Sequence, residues 1–546
     1  MELRPYQQKA IEAVLRARKA GVRRMVVCLP TGAGKTVIFA RLASLAKKPV
    51  LVLAHRDELL TQAREKLQAA LGADGVVAIE QGPNRAPDGA RVVVASIRSL
   101  HEERLTRLLR ARQFGLIIYD ECHHATADDN KRVLRDLGAF DDDWSGTLLG
   151  VTATTQRRDG IGLGEVFEEI VYHRGLPEMI REGWMVPLRG YRIATAADLA
   201  GVQAAGDDLQ LEPLAEAVDL EERNALVARS IQELARDRRT IVFCVTVRHA
   251  RNLAHALNAI GVPCGMVHGE MKRDRRHAEL LAFREGRVRC MTNVAVLTEG
   301  FDDPEVSCIA MARPTRSPML YAQCVGRGVR LAPGKADCLV LDFADVSELE
   351  LCTLPSLLGM PFQMDLQGED ALEAEEKFQA IMDANPGFEV DPGAITLAEI
   401  QDRAAHFDPL TRQVDVEVRA ISPLDWFSLG RHGVVLHWQP RPGEVKEALI
   451  RVVGARGKRW RVELDGKERA RFSQLEEAVA AVDWEIEQVG RLTYASALAD
   501  AVWRRQPPPP GMQAWLKGVT GNRGGPKTWC DALRFEALWR VEGRSR

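Results

Sequence analysis

The apolar run MVVCLP (25–30) leads straight into PTGAGKT (30–36), and this join limits the chain more than any other feature. A buried strand that empties into a glycine-bearing loop, with a helix behind it, forms a cradle for phosphate at a helix N-terminus. Gly32 and Gly34 let the loop Thr31–Gly32–Ala33–Gly34 curl so that backbone N–H groups point inward. Lys35 is placed to reach the outer phosphates, and Thr36 to hold Mg²⁺. The strict pattern G-x-x-x-x-G-K-[ST] asks for glycine at position 29, where this chain has Leu29. ATP with Mg²⁺ is the expected ligand.

Such a loop needs a parallel sheet behind it, and the apolar runs supply two. The first set is MVVCLP, PVLVLA (49–54), RVVVA (91–95), GLIIY (115–119) and TLLGV (147–151). The second is TIVFCV (240–245), CGMV (264–267), VRCMT (288–292), VSCIAM (306–311) and CLVLDF (338–343). Continuous apolar strands alternating with helical stretches imply parallel sheets covered on both faces, here two α/β domains in tandem. GLIIY ends in Asp120 and Glu121, which emerge at the strand end where ligands bind in open α/β sheets. Asp120 suits a Mg²⁺ ligand, and Glu121 suits the group that orients or deprotonates attacking water. The Cys-His-His that follows is too short a run for tetrahedral zinc.

The 546 residues suggest three or four domains, and the net charge of −2 means that any nucleic-acid surface must gather its basic residues locally. No apolar run approaches the ~18 residues of a membrane span, and the start MELRPYQQKA lacks a signal-peptide stretch. The ten scattered cysteines, several in strand-like runs, read as buried thiols of a reducing cytoplasm.

The pattern changes after Phe343. Residues 347–401 hold twelve Asp/Glu and one lysine, Lys377, and their apolar residues recur at helical spacing. Such a segment repels phosphate and reads as a helical connector. Strand-like text follows at WFSLGRHGVVLHWQ and ALIRVVGARGKRWRVELDG, then a helix whose expected capping box begins at Ser473. The implied division is 1–185, 186–346, 347–422, 423–492 and 493–546: two parallel-sheet domains, a helical connector, a small α+β module and a short basic C-terminal element. Eight of the ten tryptophans lie after residue 420, and residues 451–471 carry eight Arg/Lys against three acids. Trp460, inside Lys-Arg-Trp-Arg, is a candidate for base stacking; the alternative is that the tryptophans form a small core.

By this point the motifs resemble the superfamily 2 helicases of the DExH class, since Asp120-Glu121-Cys122-His123 has the form D-E-x-H and the other motifs follow in order over residues 2–345. The resemblance implies two tandem RecA-like domains. LRPYQQKA is similar to the adenine-reading element, placing Gln7 near the base. AHRDELLTQ, with His55 and Arg56, and VASIRSL, with Ser96, resemble the nucleic-acid contacts of motifs Ia and Ib. VTATTQR, with Thr152 and Thr154, resembles the coupling motif III, although the family more often has proline at Thr155. TNVAVLTEGFDDPEV implies Thr292 towards the nucleic-acid backbone and Gly300 and Asp302 towards the nucleotide. QCVGRGVR implies Arg327 and Arg330 as arginine fingers across the cleft. A bond from His123 to Gln323 is implied as the coupling link between domains.

Within the class, the wording DECHH, LTEGFD and GRGVR is similar to the Rad25/UvsW/Irc3-like DNA helicases, and related motors serve restriction enzymes. The expected activity is therefore ATP-driven movement on DNA or unwinding of it. An RNA helicase and a motor subunit of a restriction or phage-defence assembly, with the C-terminal module docking a protein partner, are the alternatives.

Overall fold

The computed structural model describes residues 3–54, 57–72, 76–153, 162–206, 208–298, 300–347, 349–385, 388, 390, 396–405, 418, 421–429, 432–453, 459–498, 501–520, 526 and 528–541. The chain forms two compact units, residues 1–375 and 376–546.

The first unit holds two parallel sheets. The first contains β1 (Arg24–Cys28), β2 (Val50–Ala54), β3 (Val77–Glu80), β4 (Val92–Ser96), β5 (Leu116–Asp120), β6 (Thr147–Thr152) and β7 (Glu169–His173). Their order is β3-β4-β2-β5-β6-β1-β7. The five apolar runs are the five inner strands. The edge strands β3 and β7 are only partly buried, so their sequences carry no unbroken apolar run. Parallel register brings one set of strand ends together: Cys28 lies beside Thr152, and Asp120 beside Val151. The loop after β1 and the acids after β5 therefore share one edge.

The second sheet opens with β8 (Leu188–Asp198). A short antiparallel ribbon, β9 (Ala204–Ala205) and β10 (Asp208–Leu209), precedes β11 (Arg239–Phe243), β12 (Cys264–His268), β13 (Cys290–Val294), β14 (Val306–Met311) and β15 (Cys338–Val346). The sheet order is β12-β13-β11-β14-β15-β8, again parallel throughout. The acidic stretch expected to be a connector begins as part of this unit. Leu354 and Leu366 lie against Gly190 of β8, and the Leu354 N–H donates to Asp342 at 2.8 Å.

The helix Glu221–Leu234 is tied to the end of β15 by Arg223, whose guanidinium meets Asp345 at 2.7 and 2.8 Å and donates to the Ala312 carbonyl at 3.1 Å. Both side chains are almost fully buried. Removing one partner strands a buried charge, at a cost of about 3–5 kcal/mol. Arg223→Ala is thus expected to lower the melting temperature of the full chain markedly, and Arg223→Ala/Asp345→Ala by less than the two single variants add up to. Thermal denaturation followed by circular dichroism measures both.

The second unit is built on an antiparallel meander: β16 (Phe427–Ser428), β17 (Val434–Arg441), β18 (Glu444–Val453), β19 (Arg459–Leu464) and β20 (Lys467–Phe472), in that order. The helix Leu475–Val489 covers one face through Ala478, Val479, Val482 and Ile486, which pack on Trp426, Trp438, Ile450 and Val462. On the other face Phe427, Leu429, Val435 and Leu449 pack under Ala537 and Leu538 of the helix Trp529–Val541. The expected capping box is not formed. Gln474 is the N-cap, and Ser473 bonds the Glu477 side chain at 3.2 Å one turn along. Among the described residues, no helix is long and apolar enough to cross a membrane.

Candidate active site

The loop after β1 has the backbone that phosphate binding requires. Gly32 and Gly34 take φ of +92° and +76°, and Gly34 caps the helix Lys35–Leu45. A side chain at either position would be strained and would also collide: a Cβ on Gly34 would lie 2.7 Å from Gln7 Nε2. The loop is braced from outside. Tyr6 Oη donates to the Ala33 carbonyl at 2.7 Å, and Gln7 Nε2 to the same oxygen at 3.3 Å. Gln7 Oε1 accepts the Arg4 N–H at 3.0 Å. Gln7 is thus held on the loop backbone itself. Thr31 is buried, and its hydroxyl meets no hydrogen-bond partner among the described residues.

Lys35 Nζ lies 3.4 Å from Glu121 Oε1, with both side chains mostly buried. Asp120 ends β5, and its Oδ1 accepts the Glu121 N–H at 3.1 Å. Glu121 is a non-glycine residue at φ +53°, which turns its carboxylate out of the strand direction and into the site. Burial pushes its carboxyl pKa up, but Lys35, His123 and Arg327 outweigh burial and hold it below the ordinary carboxylate range. It is therefore an ionised base at neutral pH. His123 Nδ1 lies 3.2 Å from Thr152 Oγ1 and 3.4 Å from Glu121 Oε2, joining the ends of β5 and β6.

The second sheet meets this edge through residues 298–330. A Cβ on Gly32 would lie 3.1 Å from Arg330 Cγ and 3.3 Å from its Nε, so the Arg330 side chain rests on the phosphate loop. Its guanidinium pairs with Asp302, and Asp302 lies 3.5 Å from Lys66 Nζ of the first domain. Arg327 is placed differently. It donates from Nε and Nη2 to the Thr298 carbonyl at 3.1 and 2.7 Å, and from Nη1 to the Phe301 carbonyl at 2.7 Å. These bonds pin the loop containing Gly300, itself at φ +74°. Arg330 stands at the phosphate loop, whereas Arg327 braces the segment beside it.

Lys35, Thr36, Asp120, Glu121, His123, Thr152, Asp302 and Arg330 are thus gathered around one cleft, and Gln7 borders it. Other expected residues fall elsewhere. Thr292, expected to face a nucleic-acid backbone, is instead fully buried inside β13, and its hydroxyl donates to the Gly265 carbonyl at 3.3 Å. Gln323 is buried on the helix Pro318–Val325, and its Nε2 meets no acceptor among the described residues, so no bond to His123 is made through that nitrogen. Ser96 is buried at the end of β4. His55, Arg56 and Thr154 lie outside the described residues. Trp460 belongs to the second unit and packs against its core. Sequence reasoning missed Tyr6 and Lys66. Tyr6 is adjacent to Gln7 in the same motif, but Lys66 lies outside every motif and carries no signal short of its place in the fold.

The two domains touch without a spacer. Gly326 has φ −59°, which alanine accepts, but a Cβ there would lie 2.6 Å from Thr31 Cβ. A Cβ there would also lie 2.9 Å from the Ala322 carbonyl oxygen of its own helix, so Gly326→Ala is expected to lower the melting temperature somewhat, and to lower ATP turnover by wedging Arg330 away from the loop. A Gly326→Ala protein with normal turnover would show that this contact is not part of the working site.

Residues 1–157 match the family described as "Type III restriction enzyme, res subunit", and residues 222–332 match "Helicase conserved C-terminal domain". The chain is similar to irc3 of Schizosaccharomyces pombe, 36% identical over 66% of this chain and 60% of that protein. It is also similar to IRC3 of Saccharomyces cerevisiae, 32% identical over 68% of this chain and 55% of that protein. Both relatives carry names that describe ATP-dependent helicases. The chain therefore spans little more than half the length of these two relatives. A third, named "DNA 3'-5' translocase XPB2", from Sulfurisphaera tokodaii, is 23% identical over 60% of this chain and 79% of its own.

Proposed function

From the premise that this chain belongs to the superfamily 2 helicases, with a res-subunit-type first domain and a helicase C-terminal second domain, we propose that it is an ATP-driven motor that moves on DNA. One observation carries this reading: the phosphate loop of the first sheet is met by Arg330 and Gly326 of the second. A site divided between two domains ties the state of the nucleotide to their separation, and that is what a stepping motor needs.

The residues fit ATP with a divalent cation. The glycine cradle, the buried Thr31 hydroxyl and the paired charges of Lys35 and Glu121 are suited to a polyphosphate. Thr36 and Asp120 would hold Mg²⁺, which would offset the negative charge of the bound polyphosphate. Lys35 exchanges its pairing with Glu121 for the phosphate oxygens. Glu121, ionised and released from Lys35, orients the attacking water and accepts its proton. Arg330 leaves Asp302 to offset negative charge developing on the transferred group, and Lys66 remains as a partner for Asp302. His123, between Glu121 and Thr152, couples the base to the strand end that leads into residues 153–161.

DNA is favoured over RNA by the motif wording and by a relative named as a DNA translocase. The match to a restriction-enzyme res subunit supports a second reading, a motor subunit that works beside a separate nuclease. The ten free thiols, mostly buried, suit a reducing compartment such as the cytoplasm. A triplex-displacement assay tests the motor reading. ATP-dependent release of the third strand from duplex DNA is expected, and no release with intact ATP hydrolysis would exclude translocation.

A further inference from the structure

Strand geometry divides the basic stretch 451–471 between two faces of the C-terminal sheet. Trp460 and Phe472, paired across β19 and β20, pack with Val462 on the core beneath the helix Leu475–Val489. Arg451, Arg461 and Arg471 stand directly opposite one another on β18, β19 and β20, and so lie on the other face. The helix Trp529–Val541 packs on that face through Val435 and Leu449, towards β17 and β18. The three arginines remain partly exposed, and Arg459, two residues before Arg461, adds an exposed cation to the same face.

Like charges in register repel, and two carboxylates separate them. Glu463 lies 2.7 Å from Arg451 Nη2 and 2.9 Å from Arg461 Nε; Glu468 lies 2.7 Å from Arg471 Nε and 3.8 Å from Arg461 Nη1. Three guanidinium groups thus share two anions, Arg459 adds a fourth cation, and the patch keeps a surplus of positive charge in a protein whose net charge is −2.

We propose that this arginine ladder binds the phosphate backbone of duplex DNA. The proposal rests on the DNA-motor reading and assigns the accessory contact within it. Guanidinium forks match phosphate oxygens in pairs. Strands lie about 4.8 Å apart, so the row across β18–β20 spans about 10 Å. A DNA strand rises about 3.4 Å per phosphate, and the row therefore faces about three of them. The described residues on this face of β18–β20 include no aromatic ring. Single strands are gripped largely by stacking on aromatic side chains, which this face cannot offer. A duplex keeps its bases stacked and presents only backbone.

The test uses the full chain, with fluorescence anisotropy on duplex DNA, single-stranded DNA and duplex RNA over a range of salt. Arg451→Gln/Arg461→Gln/Arg471→Gln is expected to bind duplex DNA at least about tenfold more weakly near 0.1 M salt. Its dependence of log Kd on log salt should flatten by about 2.7, since each of the three lost phosphate contacts removes about 0.9. The triple Arg→Lys variant should keep the slope, and ATP hydrolysis without DNA should be unchanged in both. If the glutamine variant melts early because Glu463 and Glu468 lose their partners, Arg459→Ala decides, with an expected two- to threefold loss and a slope flatter by about one. An unchanged slope in a folded variant overturns the ladder. Equal losses on single-stranded DNA or on RNA overturn its assignment to duplex DNA. A wild-type chain that binds no DNA and hydrolyses ATP regardless of it would instead remove the motor reading.

Discussion

Replacing Glu121 by glutamine should leave ATP bound and reduce its hydrolysis by about 10²–10⁴-fold, the range a positioned general base supplies. The glutamine keeps the shape of the side chain and leaves Asp120 in place, so nucleotide affinity should survive. Lys35→Ala removes the cation that faces Glu121 across 3.4 Å and should abolish turnover by weakening phosphate binding itself. The two variants therefore separate: one binds without turning over, the other does neither. Because Lys35, His123 and Arg327 overcome the effect of burial and hold the Glu121 carboxyl below its usual 4.5, the base stays charged throughout the neutral range. Loss of kcat/KM, which reports the nucleotide-free protein in which Lys35 still faces Glu121, should through its protonation appear only below about pH 4.5. Isothermal titration with a non-hydrolysable analogue, beside a pH–rate profile, measures both points. Near-normal turnover in Glu121→Gln would remove the residue from catalysis.

The second large effect distinguishes the two arginines. Arg330 lies on the phosphate loop and, among the described residues, is paired with a side chain, Asp302, that it can leave. Arg330→Ala should lower kcat by about 10³-fold or more, in the range known for arginine fingers, with little change in nucleotide affinity. Arg327 spends three of its donors on the Thr298 and Phe301 carbonyls. Arg327→Ala should release that loop, reducing kcat through misplaced neighbours and also lowering the melting temperature. Arg327→Lys cannot reproduce a forked bond to two carbonyls and should rescue little. Single-turnover kinetics alongside thermal melts distinguish the two roles. An Arg330→Ala protein with normal kcat would break the two-domain site.

The interior of both sheets could be read from the sequence because a strand buried on both faces must be apolar at every position. The edge strands β3 and β7 are wet on part of their surface, carry mixed residues and give no such run. The phosphate loop was equally plain, since Gly32, Gly34, Lys35 and Thr36 are dictated by local backbone and charge. What the sequence obscured depends on orientation or on distant packing. Lys-Arg-Trp-Arg reads as one basic aromatic patch, but alternation along β19 sends Trp460 to the core and its arginine neighbours to the surface. Thr292 sits in a motif whose chemistry suggests an exposed hydroxyl, yet the strand between β11 and β12 buries it. Lys66 enters the cleft only because the helix Asp57–Leu71 faces the second domain, 236 residues away in sequence from Asp302. Trp484, 64% exposed on the helix over the core, is the aromatic residue that this sheet module does present to solvent.

Steady-state ATP hydrolysis by the full chain, alone and with single-stranded, duplex and forked DNA and with RNA, shows whether nucleic acid drives the ATP site. A DNA-driven motor turns over slowly without nucleic acid and speeds up by at least about tenfold with DNA, more than with RNA, and the rise disappears in Glu121→Gln. Turnover that is the same with and without every nucleic acid would contradict it.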